Sequence, residues 1–235
     1  MAERHLQTLW PRGSGDVAGL IRGHHWQESP LGPTEAWTPS LRTTVDLMLA
    51  AEAEIVLFCG PEFVALYNDA YAPTIGDKHP RALGRPAREN WAELWDDLEP
   101  LLSGVLRTGE TFSAKDRPFY IERSDTGGET VYFDISYSAV RAQDGTVEAV
   151  LCIVSETTAR VLAAARLRES EQRFRALVTA SSDVVYRMSP DWQEMHELDG
   201  RGFLSDGQGP AIRWMDDHLF PEDQPGVRAA IDRAI

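Results

Sequence analysis

The sequence predicts an α+β domain, a five-stranded antiparallel sheet with its helices inserted after the first hairpin. Three observations predict it. Two short apolar runs, at 55–58 and 63–67, flank Gly60-Pro61, the pattern of a tight hairpin. A helical stripe then places Trp91, Leu94, Trp95, Leu98, Leu101, Leu102 and Val105 on one face. Three strand-like runs follow it, the second alternating Val131, Phe133, Ile135, Tyr137 and Ala139 with polar partners. Strands grouped on either side of a block of helices read as α+β.

Residues 1–13 lack periodicity and end in Pro11-Arg12-Gly13, so a flexible arm is expected. Residues 14–53 hold two helices and a strap. Ser14 or Asp16 is placed to cap the first helix, with Val17, Leu20 and Ile21 on its apolar face. Gly13 to Gly19 is a near miss to a dinucleotide-binding loop, but no strand precedes it and its third glycine falls one place late. Pro30, Pro33 and Pro39 forbid regular structure around the strap, whereas Trp26, Leu31 and Trp37 give it apolar surface to bury. Ser40 opens the second helix.

The first domain is expected over 54–156. After its hairpin, Asn68-Asp69 offers a cap for a short helix over 70–75 that Gly76 stops. The long helix is expected over 91–107, kinked at Pro100, with Thr108-Gly109 ending it. The run 112–121 is irregular, Asp144-Gly145 is a hairpin turn, and 147–154 is apolar on both faces, as a central strand should be. A helix without Gly or Pro is expected over 157–180. Its seam of Ala163, Leu167, Ser170, Phe174 and Leu177 has two readings: a homodimer through a parallel signalling helix, or a single helix covering the second domain. Over 181–235 the opening repeats. Ser181-Ser182-Asp183 ends the helix, Val184 to Met188 and Trp192 to Leu198 pair around Ser189-Pro190-Asp191, a Gly-rich loop reaches Pro210, and a helix closes at Ile235.

Composition removes several function classes. Asp and Glu number 37 against 23 Lys and Arg, a formal charge of −14. That excess opposes nucleic acid, whose phosphates need clustered cations, and equally opposes an anionic membrane surface. No stretch approaches the roughly 20 apolar residues of a membrane span, since residues 45–58 are broken by Asp46, Glu52 and Glu54. With no apolar leader at the N-terminus, and with Cys59 and Cys152 lacking metal or redox spacing, a reducing, cytoplasmic setting is expected.

The order of strands and helices, followed by a connecting helix and a second copy, resembles tandem PAS domains of bacterial signalling proteins. Trp26-Gln27-Glu28-Ser29-Pro30-Leu31-Gly32-Pro33, with Trp37 and Ser40-Leu41-Arg42, is similar to the strap of a family of PAS-containing sensor histidine kinases. Tyr67-Asn68-Asp69-Ala70-Tyr71 and Gly76-Asp77-Lys78-His79-Pro80 resemble the same family's second strand and first inner helix. Ser155, Glu156, Thr157 and Thr158 stand at the usual signalling junction, and Glu169 to Phe174 and Leu219 to Asp223 resemble parts of a following PAS domain. The resemblance implies a PAS-like sheet and a second PAS domain over 181–235 whose last three strands are missing. The chain is therefore expected to be the front of a longer protein or a truncated product.

Candidate chemistry is sparse. The histidines are scattered, with adjacent His24-His25 pointing apart in either regular structure, so no metal site is expected. A haem-binding PAS domain implies an axial His on the long helix, which has none. Flavin-adduct photochemistry implies a Cys within 84–90, which also has none; both cysteines are assigned to outer strands of the sheet. No acid, base or nucleophile set marks a catalytic centre. The ligand-binding candidates are Tyr67, Asn68, Tyr71, Trp91, Trp95, Tyr120, Phe133 and Tyr137, which either wall a pocket or simply fill the core. The expected function is a sensory input module for a two-component histidine kinase, answering to a small molecule or a protein. The alternatives are an input to a cyclic-dinucleotide enzyme or phosphatase, or a ligand-free interaction domain.

Overall fold

The computed structural model describes residues 10–124, 127–181, 184–199 and 207–234. The chain divides into two compact units, Met1–Ala163 and Ala164–Ile235. Most of the expected arm, the end of the connecting helix at Ser182-Asp183 and the loop over 200–206 lie outside the described residues.

In the first unit, helix α1 (Asp16–Gly23) buries Val17, Ala18 and Ile21. Its expected caps are not used. Gly15 holds the N-cap position, and Asp69, far along the chain, accepts the Val17 N–H at 3.0 Å. A β-carbon at Gly15 would lie 2.0 Å from the Asp69 carboxylate, so the remote cap requires glycine there. The strap forms two 3-10 turns, Trp26–Glu28 and Thr34–Ala36. Its Trp26 and Trp37 rings meet edge to face at 4.8 Å, and their indole N–H groups reach Ile21 O and Gly32 O. Helix α2 (Pro39–Ala50) begins one residue earlier than expected, because Thr38 caps it and proline suits its first position.

Strands β1 (Glu54–Cys59) and β2 (Val64–Tyr67) form the expected hairpin. Helices α3 (Ala72–Ile75) and α4 (Ala87–Asn90) follow, then a 3-10 turn over Ala92–Leu94 and helix α5 (Trp95–Thr108). Strands β3 (Phe112–Ser124), β4 (Gly127–Arg141) and β5 (Val147–Glu156) complete an antiparallel sheet of order β2-β1-β5-β4-β3. The last strand is thus the central one. Helix α5 packs on β3, β4 and β5, and α2 contacts β2 and β4. Leu57 and Leu66, opposite each other in register, are fully buried along with Val56 and Tyr67, so both faces of the hairpin are covered. The long helix departs from expectation: Ala92–Leu94 form a separate turn after Trp91, and the α-helix starts only at Trp95. Pro100 lies inside it and deprives the Asp96 carbonyl of its intrahelical donor.

Helix α6 (Thr158–Ser181) leaves β5 after one residue. Its Leu162, Leu167 and Phe174 side chains are exposed. The second unit carries β6 (Val185–Met188), β7 (Met195–Asp199) and β8 (Gly207–Ala211) in the order β6-β7-β8, then α7 (Trp214–His218) and α8 (Gln224–Ala234). Residues 207–211, expected as the end of a Gly-rich loop, are instead a strand paired with β7. An edge position explains this, since it tolerates both glycine and Pro210. In this unit the third strand precedes the helices, whereas in the first unit the helices follow the hairpin directly.

Candidate ligand cavity and signalling junction

Between the sheet and its inner helices lies a cavity of about 40 Å³. Period-two alternation aims Phe133, Ile135 and Tyr137 of β4 into it, with Val56 and Phe58 of β1, Val154 of β5, and Phe119 and Ile121 of β3 beside them. The helical wall supplies Tyr71, Thr74, Trp91, Leu94 and Leu98. The Phe58 and Trp91 rings meet edge to face at 5.5 Å, closing one side.

The polar groups of this wall are few and neutral. Burial pushes the Tyr71 phenol up, and a side-chain hydrogen bond with Trp91 only partly offsets that. Burial likewise raises Tyr137, reinforced by Cys152 and Tyr71 nearby. Both phenols therefore stay protonated at neutral pH, each able to donate and accept a hydrogen bond. Among the described residues, no charged side chain lines the cavity. Its volume holds a few waters, so an organic guest needs the walls to move apart.

Four of the eight sequence candidates meet here: Tyr71, Trp91, Phe133 and Tyr137. The other four do not. Tyr67 is fully buried, and its hydroxyl shares a 3.1 Å hydrogen bond with His79 Nδ1. Asn68 is spent on backbone: its Oδ1 accepts from Ile55 N and Tyr71 N, and its Nδ2 donates to Met48 O, Ala51 O and Ala53 O. Trp95 packs on Phe63 at 6.1 Å in a surface cleft, because the turn over Ala92–Leu94 breaks the helical phase that linked it to Trp91. Tyr120 is exposed; its strand neighbours Phe119 and Ile121 point inward, so it points out. The aliphatic lining was missed. Alternation on β3 and β4 carried that signal, but aromatic residues drew the selection. Cys59 and Cys152, expected on outer strands, are placed otherwise. They lie on central strands, β1 and β5, and burial pushes both thiols up, away from reactivity.

The junction is a second polar constellation, built where β5 passes into α6. Thr157 donates its N–H to Tyr132 O at 2.7 Å, and Thr158 Oγ1 accepts from Tyr132 N at 3.0 Å. Thr157 Oγ1 donates to Asp116 Oδ1 at 2.7 Å, and Arg160 reaches both oxygens of the same carboxylate. Asp116 sits at a β-bulge in β3 with φ of 50°, and its N–H donates to Asp134. The Lys115 ammonium and that N–H hold the Asp134 carboxyl below the usual carboxylate range. Glu156 accepts from Arg123 at 2.6 Å, while Ser155 stands opposite Asp134 and is exposed. Asp116, Arg123 and Arg160 were not singled out from sequence. The Arg123–Glu156, Asp116–Thr157 and Asp116–Arg160 contacts join residues between 33 and 44 apart in sequence.

Residues 53–162 match the family described as the PAS fold. Among solved structures, an RNA-binding light-oxygen-voltage receptor is 18% identical with a TM-score of 0.41, covering 63% of this chain and 42% of its own. This chain thus spans under half of that receptor's length. The PAS domain of Bordetella pertussis BvgS is 17% identical with a TM-score of 0.37, over 56% of this chain and 97% of its own. A sensory box sensor histidine kinase from Vibrio cholerae is 16% identical with a TM-score of 0.35, over 49% and 90%. Among the described residues, no helix is long and apolar enough to cross a membrane. The family match, the sheet order and the helices inserted after the first hairpin together make residues 53–162 a PAS domain.

Proposed function

We propose that this chain is the sensory input segment of a bacterial two-component histidine kinase, with a small neutral molecule as its signal. The observation that carries it is the cavity over α3, α5 and the sheet, aromatic and uncharged, with two protonated phenols at its wall. Such a lining suits an apolar body bearing one hydrogen-bonding group and disfavours an ion, which would be desolvated without a counter-charge. Occupancy spreads the strands and biases α6, which carries the change toward an autophosphorylating domain. The exposed Leu167 and Phe174 suit pairing of two such helices in a homodimer. In this reading residues 181–235 begin a second PAS domain.

Autophosphorylation by the full-length kinase is the test. Removing residues 1–156 is expected to abolish its response to signal. Unchanged activity and unchanged regulation without those residues would remove the proposal. One observation favours a second reading, a ligand-free interaction domain: about 40 Å³ is small beside the few hundred Å³ of typical ligand pockets. Native mass spectrometry of the purified chain separates the two, an adduct mass supporting the sensor and bare chain supporting the interaction domain.

A further inference from the structure

Resting on the sensory reading, the structure also indicates how the cavity reaches the junction. Thr74 of α3 and Ile121 of β3 both line the cavity, and Arg123 follows Ile121 by two residues. The Arg123 guanidinium faces three ways. Its Nε donates to the Thr74 carbonyl at 3.0 Å, one terminal nitrogen donates to Glu156 at 2.6 Å, and the other approaches Glu129 at 3.4 Å. Glu156 is the last residue of β5, one step before Thr157.

The backbone is shaped for this contact. Gly76, just after α3, has φ of 53°, and a β-carbon there would lie 2.3 Å from the Arg123 carbonyl. Only glycine lets the two segments approach so closely. Thr74 is held from its other side as well, its hydroxyl donating to Glu54 at 3.1 Å. Helix α3 is a single turn, so its position depends on such ties. The planar fork of Arg fixes the angle between its partners, which a lysine ammonium does not.

We propose that Arg123 is the coupling residue of this sensor, one guanidinium binding the helical wall of the cavity and the carboxylate at the root of α6. A guest that displaces Thr74 then changes the hold on Glu156. By reciprocity, a change at Glu156 is felt in α3 through the shared guanidinium.

Amide hydrogen exchange of the whole chain reads that reciprocity. The Thr74 and Gly76 N–H groups bond to Tyr71 O and Pro73 O. In Glu156→Gln they are expected to exchange about threefold faster, the scale of a partly exposed ion pair. With Arg123→Met already present, Glu156→Gln is expected to leave them unchanged. No acceleration in Glu156→Gln, or the same acceleration in both backgrounds, overturns the coupling. Arg123→Lys, which keeps the charge, is expected to behave as Arg123→Met; full restoration by lysine overturns the role given to the fork. Phenol in the same samples, followed by the Ile121 and Ile135 methyl signals, separates this inference from the sensory reading. Saturable methyl shifts without the cross-effect defeat the coupling alone. The cross-effect without any phenol binding upholds the coupling and defeats the small-molecule reading.

Discussion

Asn68 is 1% exposed and uses both ends of its amide to tie α2, the start of β1 and the entry to α3. Replacing it with Leu, which has the same branched outline and a larger volume, orphans the Ile55 N–H, leaves the Tyr71 N–H only the Asn68 carbonyl, and leaves up to three carbonyls with fewer partners. Each buried unpaired group costs about 1–3 kcal/mol, so Asn68→Leu is expected to lose about 3 kcal/mol or more in urea unfolding. A loss below about 1 kcal/mol would mean the amide is not a structural staple. The run Tyr67 to Tyr71 was legible as important, but not as what. Whether an Asn faces a ligand or three backbone carbonyls depends on where residues 48–53 return, and no local pattern records that. Tyr71, at the same spacing, does face the cavity.

The elements divide by whether their cause is local. The β1–β2 hairpin, the alternation of β4 and the turn at Asp144-Gly145 were legible because each rests on neighbours in sequence. The break before α5 was not, because its turn is held by a buried ion pair between distant elements. Lys78 ends one 3-10 turn and Glu93 lies in another, and their side chains are 6% and 9% exposed. Lys78→Met strands the Glu93 carboxylate and is expected to cost about 3–5 kcal/mol, whereas the double change Lys78→Met with Glu93→Leu is expected to recover most of it. If the double variant were no better than the single one, the cost would lie in packing. The start of β1 adds a pH effect. Burial raises the Glu54 carboxyl, a hydrogen bond from Thr74 opposes the shift, and Glu156 adds to it. Its protonated form is favoured in the fold, so it adds stability below the unfolded carboxylate value and loses it as pH rises through the folded value. Chemical denaturation of Glu54→Gln is therefore expected to match the parent near pH 4 and exceed it near pH 7. The opposite trend would mean that Arg123 outweighs burial.

At the scale of the whole molecule, the first unit followed from the sequence because strands, helices and turns all favour one sheet, and a funnel of that kind needs no single decisive contact. The second unit followed less well. Its third strand contains glycine and proline, residues that read as loop unless a neighbouring strand is known to receive them. The site falls between these cases. Its aromatic half was visible, whereas its aliphatic half and the charged path to α6 depend on register shifts at Asp116 and beyond Glu122. The central claim is that the space bounded by Tyr71, Trp91, Ile121, Ile135 and Tyr137 receives a small neutral guest. A titration of the methyl-labelled chain with phenol, beside a Leu98→Phe variant that fills the space, tests it most directly. Saturable shifts at Ile121, Ile135 and Val154, lost in Leu98→Phe, are the predicted result. Shifts absent in both chains, or equal in both, would contradict it.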